Sequence, residues 1–510
     1  MTAPTVAVTA GRIEGSSVGG STGRAPGEGR VLRFLGVPYA AAPVGDLRWR
    51  APQACVSWAG TRRALEFAPV APQRAALESR LPGFRPDQPT GEDCLALNVW
   101  TPGLDGDRPV LVWFPGGAYL SGGTAQPVYD GAALAAQGNA VVVTVGYRLG
   151  ALGFLAPVQG DGRGDAVANC GLRDQLAALA WIREHASAFG GDPGRITVMG
   201  ESAGAGSILH LLASPIASGA FGRAIVQSGE PRTLGGNAAQ DVASVFARHL
   251  GLDRSDIEAL RVVPVGALLD AQDATQLEVL GRVGPMPFAP MLDGEVCDTE
   301  IVDALRGGRS ADVDLVIGTT RDELALFPDP RADALDDTRL ARRVAHLLAG
   351  RGDPEAAVAT YRTEQERDGQ AVTNGAVWDA VRTDAMMRVP ALGVADSHTA
   401  AGGSTWVYRF DWEAPGLGAA HGVDLPFTFA TFDREGWGTV VGSDDRAEAL
   451  GVAWREAWLG FAAVGDPGNR TFPWPRHDVA TRPTRLFGPD GPTLVDDPAG
   501  ATRRIWMAAG

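Results

Sequence analysis

Short runs of apolar, β-branched residues alternate with longer stretches in which apolar positions recur every three to four residues. This alternation predicts an α/β protein with a large, mostly parallel central sheet and helices between its strands. The clearest predicted strands cover residues 110–114, 140–145, 196–199, 224–228, 313–318 and 405–410. Several of them run at once into glycine-rich turns. Between the second and third, Leu172, Leu176, Leu179 and Ile182 fall on one face of a predicted helix. Residues 15–30 are rich in Gly and Ser and predict a long hairpin tip. Their glycines neither follow a strand nor open a helix, which argues against a dinucleotide-binding loop. Residues 62–93 show little periodicity and several prolines, and residues 329–372 read as charged surface helices. There is no internal repeat. One domain over residues 1–510 is expected.

Composition narrows the function classes. The chain has 510 residues and a formal net charge of -15, which disfavours a nucleic acid or an anionic membrane as partner. It contains no Lys at all, so a Walker-type phosphate loop is excluded. Cys55, Cys94, Cys170 and Cys297 are scattered and form no C-x-x-C pair, so neither a disulfide framework nor a zinc site is suggested. The N-terminus shows no charged-then-apolar leader, and no stretch is apolar for long enough to span a bilayer. A cytoplasmic protein needing no metal and no organic cofactor is expected.

The candidate chemistry centres on Gly200-Glu201-Ser202-Ala203-Gly204. The apolar run 196–199 enters it and a small-residue helix leaves it. That is the strand–turn–helix context of a nucleophile elbow, the mark of an α/β-hydrolase. A serine hydroxyl needs a base that an acid orients, and in this fold acid and base follow the serine in that order. His421, in a loop of small residues soon after the strand at 405–410, is the favoured base. His346, His398 and His477 read as solvated surface residues, and His210 as a helix-face residue beside the elbow. The acid should stand just past a strand end, where Asp322 and Glu323 are neighbours that spacing cannot separate. Trp113-Phe114-Pro115-Gly116-Gly117-Ala118-Tyr119 has the small residues that let backbone N–H groups approach a developing oxyanion.

With these motifs in place, the chain resembles the type B carboxylesterases, the family of the cholinesterases and of bacterial p-nitrobenzyl esterases. The resemblance rests on residues 34–40 and 43–48, on 92–100, on Tyr147-Arg148-Leu149-Gly150, on 169–175, on Gln227-Ser228-Gly229 and on Gly465-Asp466-Pro467. It implies Glu323 as the acid and supports His421 as the base. It implies the N–H groups of Gly117, Ala118 and Ala203 as oxyanion donors. Ion pairs of Arg48 with Glu92 and of Arg148 with Asp174 follow from it, as does a buried polar network of Glu201, Ser228 and Asp424. Pro115, Ala118, Gly146 and Asp424 depart from the common family residues. Cys94 matches a family cysteine whose partner position is Val70 here, so that disulfide is not expected.

The expected activity is hydrolysis of small-molecule carboxylic esters through an acyl-enzyme on Ser202. A lactonase, amidase or acyltransferase would use the same triad. A non-catalytic binding protein of this fold would lack the serine. Residues 61–99 contain no Trp to hold a choline group, so no preference for choline esters is expected. Tyr119, Gly284, Met286 and Phe288 are the candidate pocket residues. Gly284, Met286 and Gly235 match positions that carry bulky aromatics in acetyl-selective members of the family, so the resemblance implies an open acyl pocket.

Overall fold

A computed structural model describes residues 3–19, 30–74, 81–82, 89–156, 165–434 and 436–507. Among them, eleven strands form one mixed sheet. These are β1 (Ser16–Gly19), β2 (Arg30–Pro38), β3 (Ala96–Thr101), β4 (Arg108–Phe114), β5 (Val141–Val145) and β6 (Gly191–Glu201). The rest are β7 (Arg223–Gln227), β8 (Asp314–Thr320), β9 (Thr405–Phe410), β10 (Pro483–Gly488) and β11 (Gly491–Asp496). Their order across the sheet is β11-β10-β9-β8-β7-β6-β4-β5-β3-β2-β1. Every neighbouring pair from β10 to β5 is parallel. The outer pairs at both ends are antiparallel.

The near-continuous apolar runs of the central strands reflect burial on both faces. Along β4, Val110, Val112 and Phe114 enter one apolar core, and Leu111 and Trp113 enter another on the opposite face. The same division holds in β5, where Val141, Val143 and Val145 oppose Val142. A third cluster lies under the charged helices expected at 329–372. There Asp337–Leu348 and Pro354–Arg367 bury Leu340, Val344 and Tyr361 together with Val377 and Trp506. The hairpin expected at 15–30 is present at its base, where Gly19 pairs with Arg30. Its tip, residues 20–29, lies outside the described residues.

Strand register positions the site. β4 pairs with β6 so that Phe114 faces Gly200, which brings the loop after β4 beside the elbow. β7 pairs with β6 so that Gln227 faces Glu201, which brings Ser228 alongside. β8 ends at Thr320 and β9 at Phe410, on the same edge. The expected ion pairs form, Arg48 with Glu92 at 2.7 Å and Arg148 with Asp174 at 2.6 Å. All four cysteines are free thiols, and Val70 and Cys94 line one small cavity. No described helix is long and apolar enough to cross a membrane.

Candidate active site

β6 runs directly into Ser202, whose backbone sits at φ 57°, ψ -126°, and the helix Ala203–Ala213 follows at once. This conformation is one that serine adopts only at a cost on the order of 1–3 kcal/mol, and it thrusts the hydroxyl out of the turn. Gly204 has to be glycine because the turn packs against the end of β4. A Cβ there would lie 1.9 Å from the Phe114 carbonyl oxygen.

Glu323 and Asp322 separate cleanly. Glu323 is fully buried. Its Oε1 accepts the Thr320 N–H at 2.8 Å, and its Oε2 lies 2.5 Å from His421 Nδ1. Asp322 turns the other way, pairs with Arg321, and accepts the Ala419 N–H at 3.0 Å. It braces the loop that carries His421 and does not touch the imidazole. The His421 N–H in turn donates to the Glu323 carbonyl at 3.3 Å.

The other ring nitrogen, His421 Nε2, lies 3.0 Å from Glu201 Oε1, out of line for a hydrogen bond. It makes no hydrogen bond to Ser202 Oγ, although Ser202 and His421 line the same cavity. Burial pushes the Glu201 carboxyl up to about 8, aided by the nearby charges of Asp424 and Glu323. Burial disfavours a charged His421, but Glu201 and then Glu323 outweigh it and raise the ring to about 9. The two groups titrate as a pair.

The polar network differs from expectation. Asp424 Oδ2 accepts from Gln227 Nε2 at 2.7 Å, and Gln227 Oε1 accepts from Trp458 Nε1 at 3.2 Å. Burial pushes the Asp424 carboxyl up to about 6. Ser228, at φ 53°, is buried beside them and lines the cavity, and no direct hydrogen bond joins Glu201, Ser228 and Asp424. Sequence reasoning gives Gln227 no role in the network, although it stands beside Ser228 in the Gln227-Ser228-Gly229 block.

The loop after β4 carries three successive positive φ values, at Gly117 (122°), Ala118 (54°) and Tyr119 (61°). Among the described residues, the Gly117 and Ala118 amides donate to no protein acceptor. Ala203, the first residue of its helix, has no intrahelical acceptor for its N–H. Ala118 and Ala203 line a cavity of about 480 Å³ together with Ser202, Glu323 and His421.

Of the candidate pocket residues, Tyr119 and Met286 line that cavity. Gly284 and Phe288 do not. Phe288 is fully buried and packs on Phe246 with ring centroids 5.9 Å apart. The space at Gly284 is taken by the Arg232 guanidinium, which would lie 3.2 Å from a Cβ there. Gly235 starts the helix Gly236–His249 and is not in the wall. Sequence reasoning missed Arg232 and Phe327, which come from loops, Arg382, from the last turn of the helix Asn374–Thr383, and Met386 and Met387, from a π-helical turn, Asp384–Arg388. Two histidines read as solvated are buried instead. His398 packs between Thr405 Oγ1 at 2.8 Å and the Ser310 carbonyl at 3.0 Å, and His477 Nε2 meets Asp396 at 2.8 Å. Polar partners from distant parts of the chain meet both rings: His398 on both nitrogens, His477 on Nε2 alone. His346 is exposed, and His210 lies buried on the elbow helix with Nδ1 at 2.8 Å from the Gly206 carbonyl.

Residues 2–488 match the model of the carboxylesterase family. The chain is 34% identical to para-nitrobenzyl esterase of Bacillus subtilis (strain 168) over 509 residues, covering 99% of this chain and 98% of that protein. It is 37% identical to phenmedipham hydrolase of Pseudarthrobacter oxydans, covering 91% of this chain and 93% of that protein. The crystal structure of a Geobacillus stearothermophilus carboxylesterase superposes with a TM-score of 0.84 at 35% identity, over 99% of this chain and all of that one. The chain is an α/β-hydrolase and belongs to the carboxylesterase family. Within it, the chain is an ester hydrolase, similar over its whole length to p-nitrobenzyl esterases.

Proposed function

We propose that the chain is a serine carboxylesterase in which Ser202 is the nucleophile, His421 the general base and acid, and Glu323 the residue that orients and stabilises the imidazolium. One observation carries the reading. A serine held in the strained elbow conformation opens into the same 480 Å³ cavity as a histidine whose far nitrogen is 2.5 Å from a fully buried glutamate. In the resting geometry His421 Nε2 rests near Glu201. Catalytic hydrogen bonds are often loose before substrate binds and tighten with it. A small turn of the ring brings Nε2 to Ser202 Oγ and takes up its proton as Oγ attacks the ester carbonyl. The Gly117, Ala118 and Ala203 amides receive the oxyanion. His421 returns the proton to the leaving alcohol, then activates the water that releases the acid. The ester is a small molecule, as the cavity's size implies.

The test is Ser202→Ala. A folded variant whose rate on p-nitrophenyl butyrate falls by several orders of magnitude, to roughly the 10³–10⁴-fold residual over water of a broken triad, supports the assignment. Near-normal turnover sinks it.

A further inference from the structure

Two arginines stand in the wall of the cavity, and they are not equivalent. Arg382 is committed to the protein: its guanidinium donates to the Phe327 carbonyl at 3.1 Å and pairs with Asp379. Arg232 makes one hydrogen bond, from Nη2 to the Val283 carbonyl. Among the described residues no carboxylate reaches it at ion-pair distance. A guanidinium carries five N–H donors in a planar fork that matches a carboxylate. Here most of that fork is left to whatever fills the cavity.

The surroundings are shaped to this side chain. The helix Val265–Val283 ends at Gly284, which adopts φ 97°. The Val283 carbonyl accepts from the guanidinium, and the absent Cβ of Gly284 leaves it room. Gln276 Nε2 fixes the turn beyond by donating to the Pro285 carbonyl at 3.1 Å. On the other side, Leu234 pairs with Met291 and ties down the segment that carries Arg232. That segment runs against the elbow helix, with the Glu230 carbonyl 3.4 Å from the Cβ position of Gly206, one turn past Ser202. The leaving alcohol must face His421, which protonates it. The side of the cavity lined by the elbow helix and Arg232 is then left for the acyl part. Glu230, on the same wall, opposes an anionic guest; burial raises its carboxyl and the Arg232 charge counters that rise.

We propose that Arg232 is a specificity-determining residue that fits this cavity to esters whose acyl part ends in a carboxylate, the monoesters of dicarboxylic acids. This rests on the reading of Ser202 as an esterase nucleophile and deepens it. In the reaction the acyl–oxygen bond to the alcohol breaks and an acyl–oxygen bond to water forms. The alcohol leaves with the proton first taken from Ser202. The distal carboxylate is unchanged throughout and stays on the Arg232 fork.

The experiment compares kcat/KM for monoethyl adipate and ethyl hexanoate, with active sites counted by a fluorophosphonate probe. Wild type should hydrolyse the adipate monoester at least as efficiently as the hexanoate. Arg232→Met should lower the adipate-to-hexanoate ratio by about tenfold or more, chiefly through KM, because a charge-assisted hydrogen bond is lost. Arg232→Lys should retain part of the ratio, and Glu230→Gln should raise it. An unchanged ratio in Arg232→Met, or a lowered one in Glu230→Gln, overturns the proposal. So does a wild-type preference confined to an ester with the carboxylate on its alcohol side, 3-(hexanoyloxy)propanoate. Ethyl hexanoate separates the two readings: if wild type hydrolyses it without any such dependence, only the Arg232 proposal falls. If wild type hydrolyses no ester, the esterase reading falls with it.

Discussion

The two walls of the cavity are built by opposite rules. Ser202, Glu323 and His421 stand past the carboxyl ends of the parallel strands β6, β8 and β9, and each is held by backbone. Their positions follow from sheet register, so a change of side chain elsewhere does little to move them. The facing wall takes Met286 from a turn between helices, Phe327 from beyond a 3₁₀ turn, and Met386 and Met387 from a π-helical turn. Nothing in the sheet dictates those positions. Methionine, with three rotatable bonds and a soft sulfur, adapts to guests of different shape. The comparison teaches that this chain fixes its reaction in the sheet and leaves its choice of ester to insertions, which is how one fold serves many substrates.

The sharpest way to break this contrast is at the acid. Glu323→Gln should leave the fold intact and lower kcat by roughly 10⁴-fold, because the amide favours the wrong imidazole tautomer. Asp322→Asn, one residue away, keeps an acceptor for the Ala419 N–H and should cost less than about tenfold. If the Asp322 variant is the poorer enzyme in steady-state assays, the geometry has been misread.

A smaller effect is expected at Glu201. A carboxylate beside an imidazole favours its charged form, so removing it lowers the pKa of His421. Activity needs the neutral ring and rises with pH through that pKa. In Glu201→Gln the ascending limb of the kcat/KM profile should therefore move to lower pH, by up to about one unit. A limb that stays in place or moves up would show that Glu201 does not act on the ring.

The smallest effect belongs to the adaptable wall. Met286→Phe should depress kcat/KM for p-nitrophenyl octanoate relative to acetate by roughly threefold to tenfold, since each methylene denied burial is worth at most about 0.8 kcal/mol. In wild type the series from acetate to octanoate should not fall steeply. A steep fall would mean that the acyl side is closed.

What the sequence made legible follows the same division. The elbow was readable because backbone crowding forces glycine at 204, and a forced residue leaves a motif. The strands were readable because burial on both faces forces continuous apolar runs. β7 ended one residue earlier than expected because Ser228 leaves extended geometry. The preference for Glu323 over Asp322 rests on family resemblance alone in the sequence, since the two are adjacent and diverge only in where their side chains turn. Arg232 was not readable at all. A glycine at 284 implies space, but which distant side chain enters that space is decided by tertiary packing. The same holds for His398 and His477, whose burial depends on partners up to 88 residues away.

The cysteines have a practical consequence. Cys94, Cys170 and Cys297 are buried, Cys55 is half-buried, and burial raises the pKa of all four thiols. Few thiolates exist at neutral pH, and the shape of the chain depends on no oxidised bond between them. The chain therefore needs no oxidative refolding, and a reductant should leave it folded.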